Sequence, residues 1–216
     1  QMLVQNGLAQ DLPMFITEHD PYHPKAESDE HNLINGAALV KSLYFTSRQS
    51  PAVKIMPWVL YHDGEIQTRF MWFEGPNEPD TKADELQMLP AGCSMKFLSM
   101  HRKWEIAVDN ELGDDEIVLA SVQNDGLIVE AVNYGQPRDV RLRIEQLPKV
   151  FTALGGGKLQ VVKYLIDRDH SNSVTHPDYP GGIEKVDECS IQSEAGAIVL
   201  EHQGLQQDGI VLWQLT

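Results

Sequence analysis

The chain has 216 residues with 42% hydrophobic and 23% charged side chains, which excludes disordered, collagen-like and disulfide-rich miniprotein classes. Thirty-two acidic against seventeen basic residues give a formal net charge of -15. Because this charge repels phosphate groups and anionic lipids, we expect no nucleic acid partner and no membrane surface. No apolar run reaches the roughly 18 residues that a membrane-spanning helix needs, and neutral ligands such as sugars remain allowed.

The amino-terminal residues read as the end of an amphipathic helix that starts without a methionine. We therefore expect the sequence to be the later part of a longer chain. Cys93 and Cys189 match no metal-ligand spacing, and the sequence leaves open whether they pair. No phosphate-binding glycine loop, His-Glu-x-x-His or Cys-x-x-Cys pattern occurs, so we expect no cofactor and no metal.

The first sixty residues alternate between strand-like and helical patterns. Met14–Thr17 is a short run that is apolar on both faces, which is typical of a buried strand in a parallel sheet. After a polar loop, apolar residues recur at helical spacing over Asn32–Ser47. Val53–Leu60 is a second short apolar run. This order predicts a βαβ unit of a parallel α/β sheet.

A long connection rich in Glu, Asp and Pro follows at residues 62–90. Its aromatic residues Phe70, Trp72 and Phe73 fit either a sugar-stacking platform or a hydrophobic plug between two domains, and both interpretations remain open. A helix is predicted from Ala91 to Lys103.

From residue 116 onward the hydrophobic period changes to two. Val140, Leu142 and Ile144, for example, alternate with charged residues, and turn-forming sequences separate several such runs. This pattern predicts antiparallel strands with one face in water, arranged as a β-sandwich. We therefore predict two domains, an α/β domain at residues 1–110 and an antiparallel β-sandwich at residues 111–216.

The first predicted strand ends in Ile16-Thr17-Glu18-His19-Asp20. In parallel α/β folds, catalytic groups lie at the carboxyl ends of the strands. Glu18 is therefore a candidate nucleophile, and the alternative is that it opens a solvated acidic loop. Tyr22 and His23 follow in a proline-bounded segment, where they either line a cleft or pack within the loop.

The segment Leu12-Pro13-Met14-Phe15-Ile16-Thr17-Glu18-His19-Asp20 resembles strand seven of clan A glycoside hydrolases, most closely family 39. The predicted helix at Asn32–Ser47 is similar to the seventh barrel helix of that family, and Lys54–Tyr61 is similar to its strand eight. The segment Tyr164–Asn172, which contains His170-Ser171-Asn172, resembles a segment of the sandwich that accompanies the barrel.

The resemblance implies the carboxyl-terminal portion of a TIM-type barrel followed by an antiparallel β-sandwich. It also implies a retaining glycosidase in which Glu18 is the nucleophile and the acid/base glutamate lies upstream of this chain, in a missing amino-terminal part of the same protein. This fragment alone is then expected to be inactive. Trp58 is expected to support the sugar ring, and His19, Tyr22 and Trp72 are further candidate substrate contacts.

Two further sets of polar residues could be read as functional, but their positions in the chain favour another interpretation. Asn77-Glu78-Pro79 has the letters of the family's acid/base segment, but it follows the predicted strand eight and chain order in a barrel is fixed, so we expect a chance match. Asp167, Asp169 and His170 have ligand-type side chains. Their place in the predicted sandwich favours structural hydrogen bonds.

The expected substrate is an oligosaccharide or polysaccharide, and the sugar and linkage stay open between a xylosidase-like and an agarase-like activity. Such a substrate favours a secreted or periplasmic protein. The alternative function is a non-catalytic carbohydrate-binding or structural β-sandwich module.

Overall fold

The computed structural model describes residues 5, 14–19, 32–49, 52–57, 73–74, 87–109, 113, 115–123, 126–147, 158–173, 175–176, 181–194 and 196–216. Two helices and twelve strands are present in these ranges. The helices are α1 (Asn32–Gln49) and α2 (Pro90–Met100). The strands are β1 (Met14–His19), β2 (Val53–Pro57), β3 (Phe73–Glu74), β4 (Gln87–Met88), β5 (Trp104–Glu105), β6 (Glu116–Gln123), β7 (Gly126–Asn133), β8 (Arg138–Ile144), β9 (Lys158–Ile166), β10 (Glu184–Gln192), β11 (Ile198–Leu205) and β12 (Gly209–Leu215).

The predicted βαβ unit is confirmed. Strands β1 and β2 are parallel, with Met14 opposite Val53 and Ile16 opposite Ile55. Helix α1 connects them, because a crossover of this kind is needed to bring two parallel strands side by side. Strand β1 extends two residues beyond the predicted end at Thr17, and α1 extends two residues beyond Ser47.

Helix α1 packs closely on α2 at Gly36. A Cβ atom at this position would lie 2.5 Å from the Ser94 hydroxyl oxygen and 3.0 Å from the Pro90 carbonyl oxygen. The Ser94 hydroxyl itself donates a 2.8 Å hydrogen bond to that carbonyl. Gly36 therefore permits the contact because it has no side chain.

The carboxyl-terminal half contains a six-stranded sheet in the order β10-β9-β12-β7-β6-β5, with antiparallel neighbours throughout. A two-stranded antiparallel ribbon of β8 and β11 faces it. The core between these two layers is aliphatic apart from one tryptophan. Its buried residues include Val118, Leu127, Val129, Leu159, Val161, Leu165, Leu200, Val211, Trp213 and Leu215.

The opposite face of the six-stranded sheet is covered by the two helices. One apolar cluster joins Ala37 and Val40 of α1, Cys93 and Phe97 of α2, and residues of the sheet such as Leu212. As a result every residue of β7 is buried. The expectation of strands half exposed to water is therefore wrong for β7, because helices cover the face that alternation assigns to solvent. The same helices pack against both parts of the chain, and the predicted boundary after residue 110 stays a prediction.

Three further elements differ from the sequence-based expectation. Within the connection at residues 62–90, Phe73 pairs with Met88 and joins β3 to β4. Helix α2 ends at Met100, three residues before the predicted end, because His101 has an extended ψ of 146°. Strand β10 forms an exposed edge whose polar sequence carries little apolar alternation. Among the described residues, no helix combines the length and the apolar character that a membrane crossing requires.

Substituting Gly36 by alanine is expected to lower the free energy of unfolding by roughly 1 to 3 kcal/mol, because the new methyl group must push α1 away from α2. Alanine in an unhindered helix position would instead stabilise the fold by about 0.5 to 1 kcal/mol. Urea unfolding of the Gly36→Ala variant measures the sign directly. Gly113→Ala is the control for an added methyl group outside the helices, since no described residue lies within 4 Å of a Cβ atom there. A stabilised Gly36→Ala variant would contradict the close contact.

Candidate active site at the carboxyl ends of two parallel strands

Glu18 lies at the carboxyl end of β1, beside the carboxyl end of β2. The regular register runs from Met14 opposite Val53 to Ile16 opposite Ile55, and resumes with His19 opposite Pro57. Three residues of β1 thus span the distance of two residues of β2, so Thr17 and Glu18 fall in an irregularity of the bulge type. Such irregularities redirect side chains and occur next to active sites.

The structure describes the backbone of two of the predicted site residues, Glu18 and His19. Glu18 and His19 are the last two residues of β1, and Pro57, the partner of His19, directly precedes Trp58 in the sequence. Trp58, Tyr22 and Trp72 lie outside the described residues, as does Asn77-Glu78-Pro79. The roles of Glu18, His19, Trp58, Tyr22 and Trp72 therefore remain predictions.

The His170-Ser171-Asn172 segment holds α2 against the sandwich. The Ser171 hydroxyl donates to the Leu165 carbonyl at 2.6 Å and accepts from the Glu184 amide at 2.7 Å. The Ser171 carbonyl in turn lies 3.5 Å from the Cys93 sulfur, which also donates to the Gly182 carbonyl at 3.1 Å. Burial raises the pKa of the Cys93 thiol to about 12, so it stays protonated and able to donate.

Asp167 organises the turn that follows β9. One of its carboxylate oxygens accepts from the amides of Asp169 and His170 and from the imidazole of His170, each at 2.8 Å. These contacts give Asp167 and His170 the structural role that their sequence position favours.

Cys93 is buried and Cys189 is exposed, and both are free thiols. No group of three or more His, Cys, Asp or Glu residues in the described ranges is arranged to hold a metal ion.

A buried carboxyl group that the sequence analysis overlooked lies between the sheet and the end of α2. Glu130 in the middle of β7 is 0% exposed. One of its oxygens lies 2.9 Å from the His101 Nε2 atom, while the other accepts no hydrogen bond from the described part of the chain. His101 Nδ1 lies 2.8 Å from the Ser121 hydroxyl. The signal in the sequence is a glutamate inside the apolar run Leu127–Val132.

Burial raises the pKa of Glu130, and the hydrogen bond from His101 partly opposes this shift. The charged carboxylate loses its hydration inside the sheet, so the protonated form is favoured. The Ser121 hydroxyl also accepts a 2.8 Å hydrogen bond from the Arg102 amide. The contacts of His101 and Arg102 with Glu130 and Ser121 hold the segment between the end of α2 and the start of β5 against the sheet.

A cleft of about 730 Å³ opens between the inner face of the six-stranded sheet and β8. Its walls are largely aliphatic, with Val118, Leu127 and Leu142 among them, and Arg141 and Glu145 also line it. The described residues that line the cleft all belong to the sandwich half of the chain, between residues 106 and 146.

Neither a protein-family model nor a curated protein sequence matches the chain. Solved structures do match. A GH39 enzyme from Xanthomonas axonopodis pv. citri has a TM-score of 0.63 at 10% identity over 94% of this chain and 44% of its own. A glucosidase from Croceicoccus marinus has a TM-score of 0.61 at 14% identity over 94% of this chain and 46% of its own.

A third match is the enzyme BuGH86 in complex with neoagarooctaose, with a TM-score of 0.55 at 11% identity over 94% of this chain and 30% of its own. The chain has the fold of glycoside hydrolases. The expected architecture, the carboxyl-terminal portion of a TIM-type barrel followed by an antiparallel β-sandwich, is thereby confirmed. Glycoside hydrolase families 44 and 51 also match, so family 39 is not singled out. The chain spans less than half the length of the three structures described.

The His101–Glu130 contact predicts a pH-dependent loss of stability on substitution. Replacing His101 by alanine leaves the buried carboxyl group of Glu130 without its donor, so we expect the free energy of unfolding to fall by roughly 3 kcal/mol at neutral pH. The folded chain holds this proton to a higher pH than the unfolded chain does, because the pKa of Glu130 is raised. Stability therefore falls as pH rises above the ordinary carboxyl range, and it falls more steeply without His101.

Urea unfolding of the wild type and of the His101→Ala variant at about pH 5 and about pH 8 measures this difference. The double variant His101→Ala/Glu130→Gln is the control, since an amide has no charge to bury and should recover part of the loss at the higher pH. An equal loss at both pH values would show that Glu130 does not titrate in the folded chain.

Proposed function

We propose that the protein hydrolyses a glycosidic bond with retention of configuration and that Glu18 is the nucleophile. The observation that carries the proposal is the position of Glu18 at the irregular carboxyl end of a strand paired in parallel with its neighbour. In TIM-type barrels the catalytic residues come from these strand ends. The glycoside hydrolase fold supports the same class of reaction.

In the proposed reaction a Glu18 carboxylate oxygen forms a bond to the anomeric carbon as the bond to the leaving oxygen breaks. A second carboxyl group gives its proton to that oxygen. It then takes a proton from water, which attacks the anomeric carbon and releases Glu18. Two displacements restore the original configuration. We propose that the second carboxyl group belongs to a segment of the protein amino-terminal to this sequence.

The exposed face of the β1–β2 pair supports a larger barrel. Phe15 is 57% exposed, and its register partner Lys54 is also exposed. Strands of a parallel sheet are ordinarily covered on both faces. We therefore propose that further barrel elements of the protein cover Phe15 and complete the cleft around Glu18.

The proposed substrate is an oligosaccharide or polysaccharide, as expected for a protein with the fold of glycoside hydrolases. Trp58 is proposed to stack under the sugar ring bound next to Glu18, and His19, Tyr22 and Trp72 to contact neighbouring hydroxyl groups or rings. Structural neighbours include a glucosidase and an enzyme bound to neoagarooctaose. The proposed activity is xylosidase-like or agarase-like. Because the proposed substrate is a polymer, we also propose a secreted or periplasmic location.

The proposal is tested in the protein that contains the complete barrel. Glu18→Gln is expected to reduce kcat for aryl glycosides at least about a thousandfold, because the amide cannot form the covalent intermediate. Glu18→Ala in the presence of azide is expected to release a glycosyl azide of inverted configuration, since the small anion replaces the missing carboxylate in a single displacement.

Glu201→Gln is the matched control, because this exposed carboxylate lies on β11 and pairs with Arg141 at 3.1 Å. Its kcat should equal that of the wild type. Proton NMR of the first product formed by the wild type should show the anomer of the substrate. Full activity of Glu18→Gln, or a product of inverted configuration from the wild type, would overturn the assignment.

A further inference from the structure

Three hydrogen-bonding side chains form a buried relay between the end of α2 and the middle of the six-stranded sheet. His101 Nε2 lies 2.9 Å from a Glu130 carboxylate oxygen, and His101 Nδ1 lies 2.8 Å from the Ser121 hydroxyl oxygen. The order serine, histidine, glutamate is that of a hydrolase triad. Ser121 is only 4% exposed and Glu130 is 0% exposed, so a substrate cannot reach the hydroxyl group. The contacts of the Ser121–His101–Glu130 relay therefore concern the position of protons and not nucleophilic attack.

The Ser121 hydroxyl determines which ring nitrogen of a neutral His101 carries the hydrogen. The hydroxyl oxygen accepts a 2.8 Å hydrogen bond from the Arg102 amide, and an amide N–H can only donate. Among the described residues, His101 Nδ1 is thus the acceptor that remains for the hydroxyl hydrogen. A ring nitrogen that accepts carries no hydrogen. The hydrogen of neutral His101 therefore lies on Nε2, from which it is donated to Glu130.

The second carboxylate oxygen of Glu130 restricts where a further proton can go. Glu130 Oε1 is buried and has no hydrogen-bond partner in the described part of the chain. A hydrogen on Oε1 would lie in a fixed position in the carboxyl plane without an acceptor, which is unfavourable. A hydrogen between Oε2 and Nε2 instead belongs to a charge-assisted contact, which is stronger than a neutral one. The added proton is then on Nδ1, whichever of Oε2 and Nε2 holds the hydrogen between them.

The surroundings of Glu130 within the sheet are apolar. Its cross-strand neighbours are Leu119 on β6 and Leu212 on β12. Both leucines pack into the apolar cluster that the two helices cover. Neither neighbouring strand therefore offers a polar side chain directly opposite Glu130 that could replace His101 as its partner.

The other titratable groups around the relay lie on the covering helices, on β5 and at the edge of the apolar cluster. Burial raises the pKa of the Cys93 thiol to about 12, so this group carries no charge. The Arg102 guanidinium reaches toward Gly126 at the start of β7, where a Cβ atom would lie 3.8 Å from its Nη2 atom. The remaining groups are exposed, ion-paired or packed at the edge of the cluster, namely Lys96, Lys103, the pairs Lys41–Asp115 and Arg48–Glu105, and Tyr44, Tyr134 and Tyr164.

We propose that the Ser121–His101–Glu130 relay is a proton switch in which uptake of one proton converts His101 Nδ1 from an acceptor into a donor. The proton enters from solvent at the imidazole, whose side chain is 15% exposed. Before uptake the Ser121 hydroxyl donates to the ring. After uptake the ring donates to the Ser121 oxygen, which also accepts from the Arg102 amide, and the hydroxyl hydrogen turns away by rotation about the Cβ–Oγ bond. The contact that joins the end of α2 to the sheet is thereby reversed in direction and is not broken.

Nitrogen NMR of the histidine rings tests the switch in the protein that contains the complete barrel, with histidine as the labelled residue type. A ring nitrogen without a hydrogen resonates far downfield of one that carries a hydrogen, so each nitrogen reports its own state. The signals of His101 are identified by their loss in His101→Gln. At alkaline pH, Nδ1 is expected at the position of an acceptor and Nε2 at that of a donor. As the pH falls, Nδ1 should move to the position of a donor.

His170 is the internal control in the same spectrum. Its Nδ1 atom lies 2.8 Å from an Asp167 carboxylate oxygen that also accepts from two backbone amides. Because a carboxylate only accepts, neutral His170 should carry its hydrogen on Nδ1. The two histidines should therefore show opposite ring states at alkaline pH.

Two variants are expected to move the midpoint of proton uptake by the relay in opposite directions. Ser121→Ala removes the donor that keeps Nδ1 free of hydrogen, so the midpoint should rise by roughly half a pH unit to one unit. Glu130→Gln removes the carboxylate that stabilises the protonated ring, so the midpoint should fall by at least about one unit. Ser190→Ala is the matched control, because this exposed hydroxyl donates to Gln160 at 2.9 Å on β9 and should leave the midpoint unchanged.

The proposal is overturned if Nδ1 of His101 carries a hydrogen at alkaline pH, or if it stays free of hydrogen down to the pH at which the protein unfolds. Both outcomes are read from the wild type and do not depend on the folding of a variant. Equal midpoints in folded Ser121→Ala and the wild type would also overturn it, since the hydroxyl would then not control the ring. The switch uses no group of the reaction proposed for Glu18, so either proposal can fail without the other.

Discussion

Burial of the six-stranded sheet on both faces is the constraint on which the rest of the structure depends. Strands β7 and β12 lie in the middle of this sheet, and their side chains point alternately toward the β8–β11 ribbon and toward the helices. Val211 and Trp213 enter the first core, while Ile210 and Leu212 enter the second. Each strand therefore gains from two apolar layers, and removing either layer would expose half of its side chains to water.

The helical layer connects this sheet to the parallel strands that carry Glu18. Helix α1 follows β1, packs on α2 through Gly36, and reaches the sandwich through Lys41, whose ammonium group lies 3.0 Å from an Asp115 carboxylate oxygen. Helix α2 is held from the other side by Cys93 and Ser171. Helix α1 is thus packed against both α2 and the sandwich. The nucleophile that we propose at Glu18 lies on the strand that precedes this helix, and positioning a nucleophile to within a fraction of an ångström needs a rigid support.

The buried polar side chains differ in what they contact. Ser171 and Asp167 satisfy backbone amides and carbonyls at the turn after β9, where no regular ladder can do so. Glu130 instead places a carboxyl group inside an apolar layer, and a single histidine contacts it. An arrangement of this kind adds little to stability relative to an apolar pair of the same size.

The sequence alone determined the elements whose hydrophobic period is unambiguous. The short apolar runs at Met14–Thr17 and Val53–Leu60, with a helical pattern between them, were sufficient to predict two parallel strands and to place Glu18 at a strand end. Alternation after residue 116 predicted the antiparallel sheet. Local patterns are informative here because side-chain direction repeats every two residues in a strand and every 3.6 in a helix. Tertiary structure decided what covers each face. It buried β7 completely, paired β3 with β4 across a long connection and added the polar edge strand β10. It also enclosed Glu130 and left Trp104 exposed to water. Each of these features depends on contacts between residues far apart in the chain, and hydrophobic periodicity does not encode such contacts.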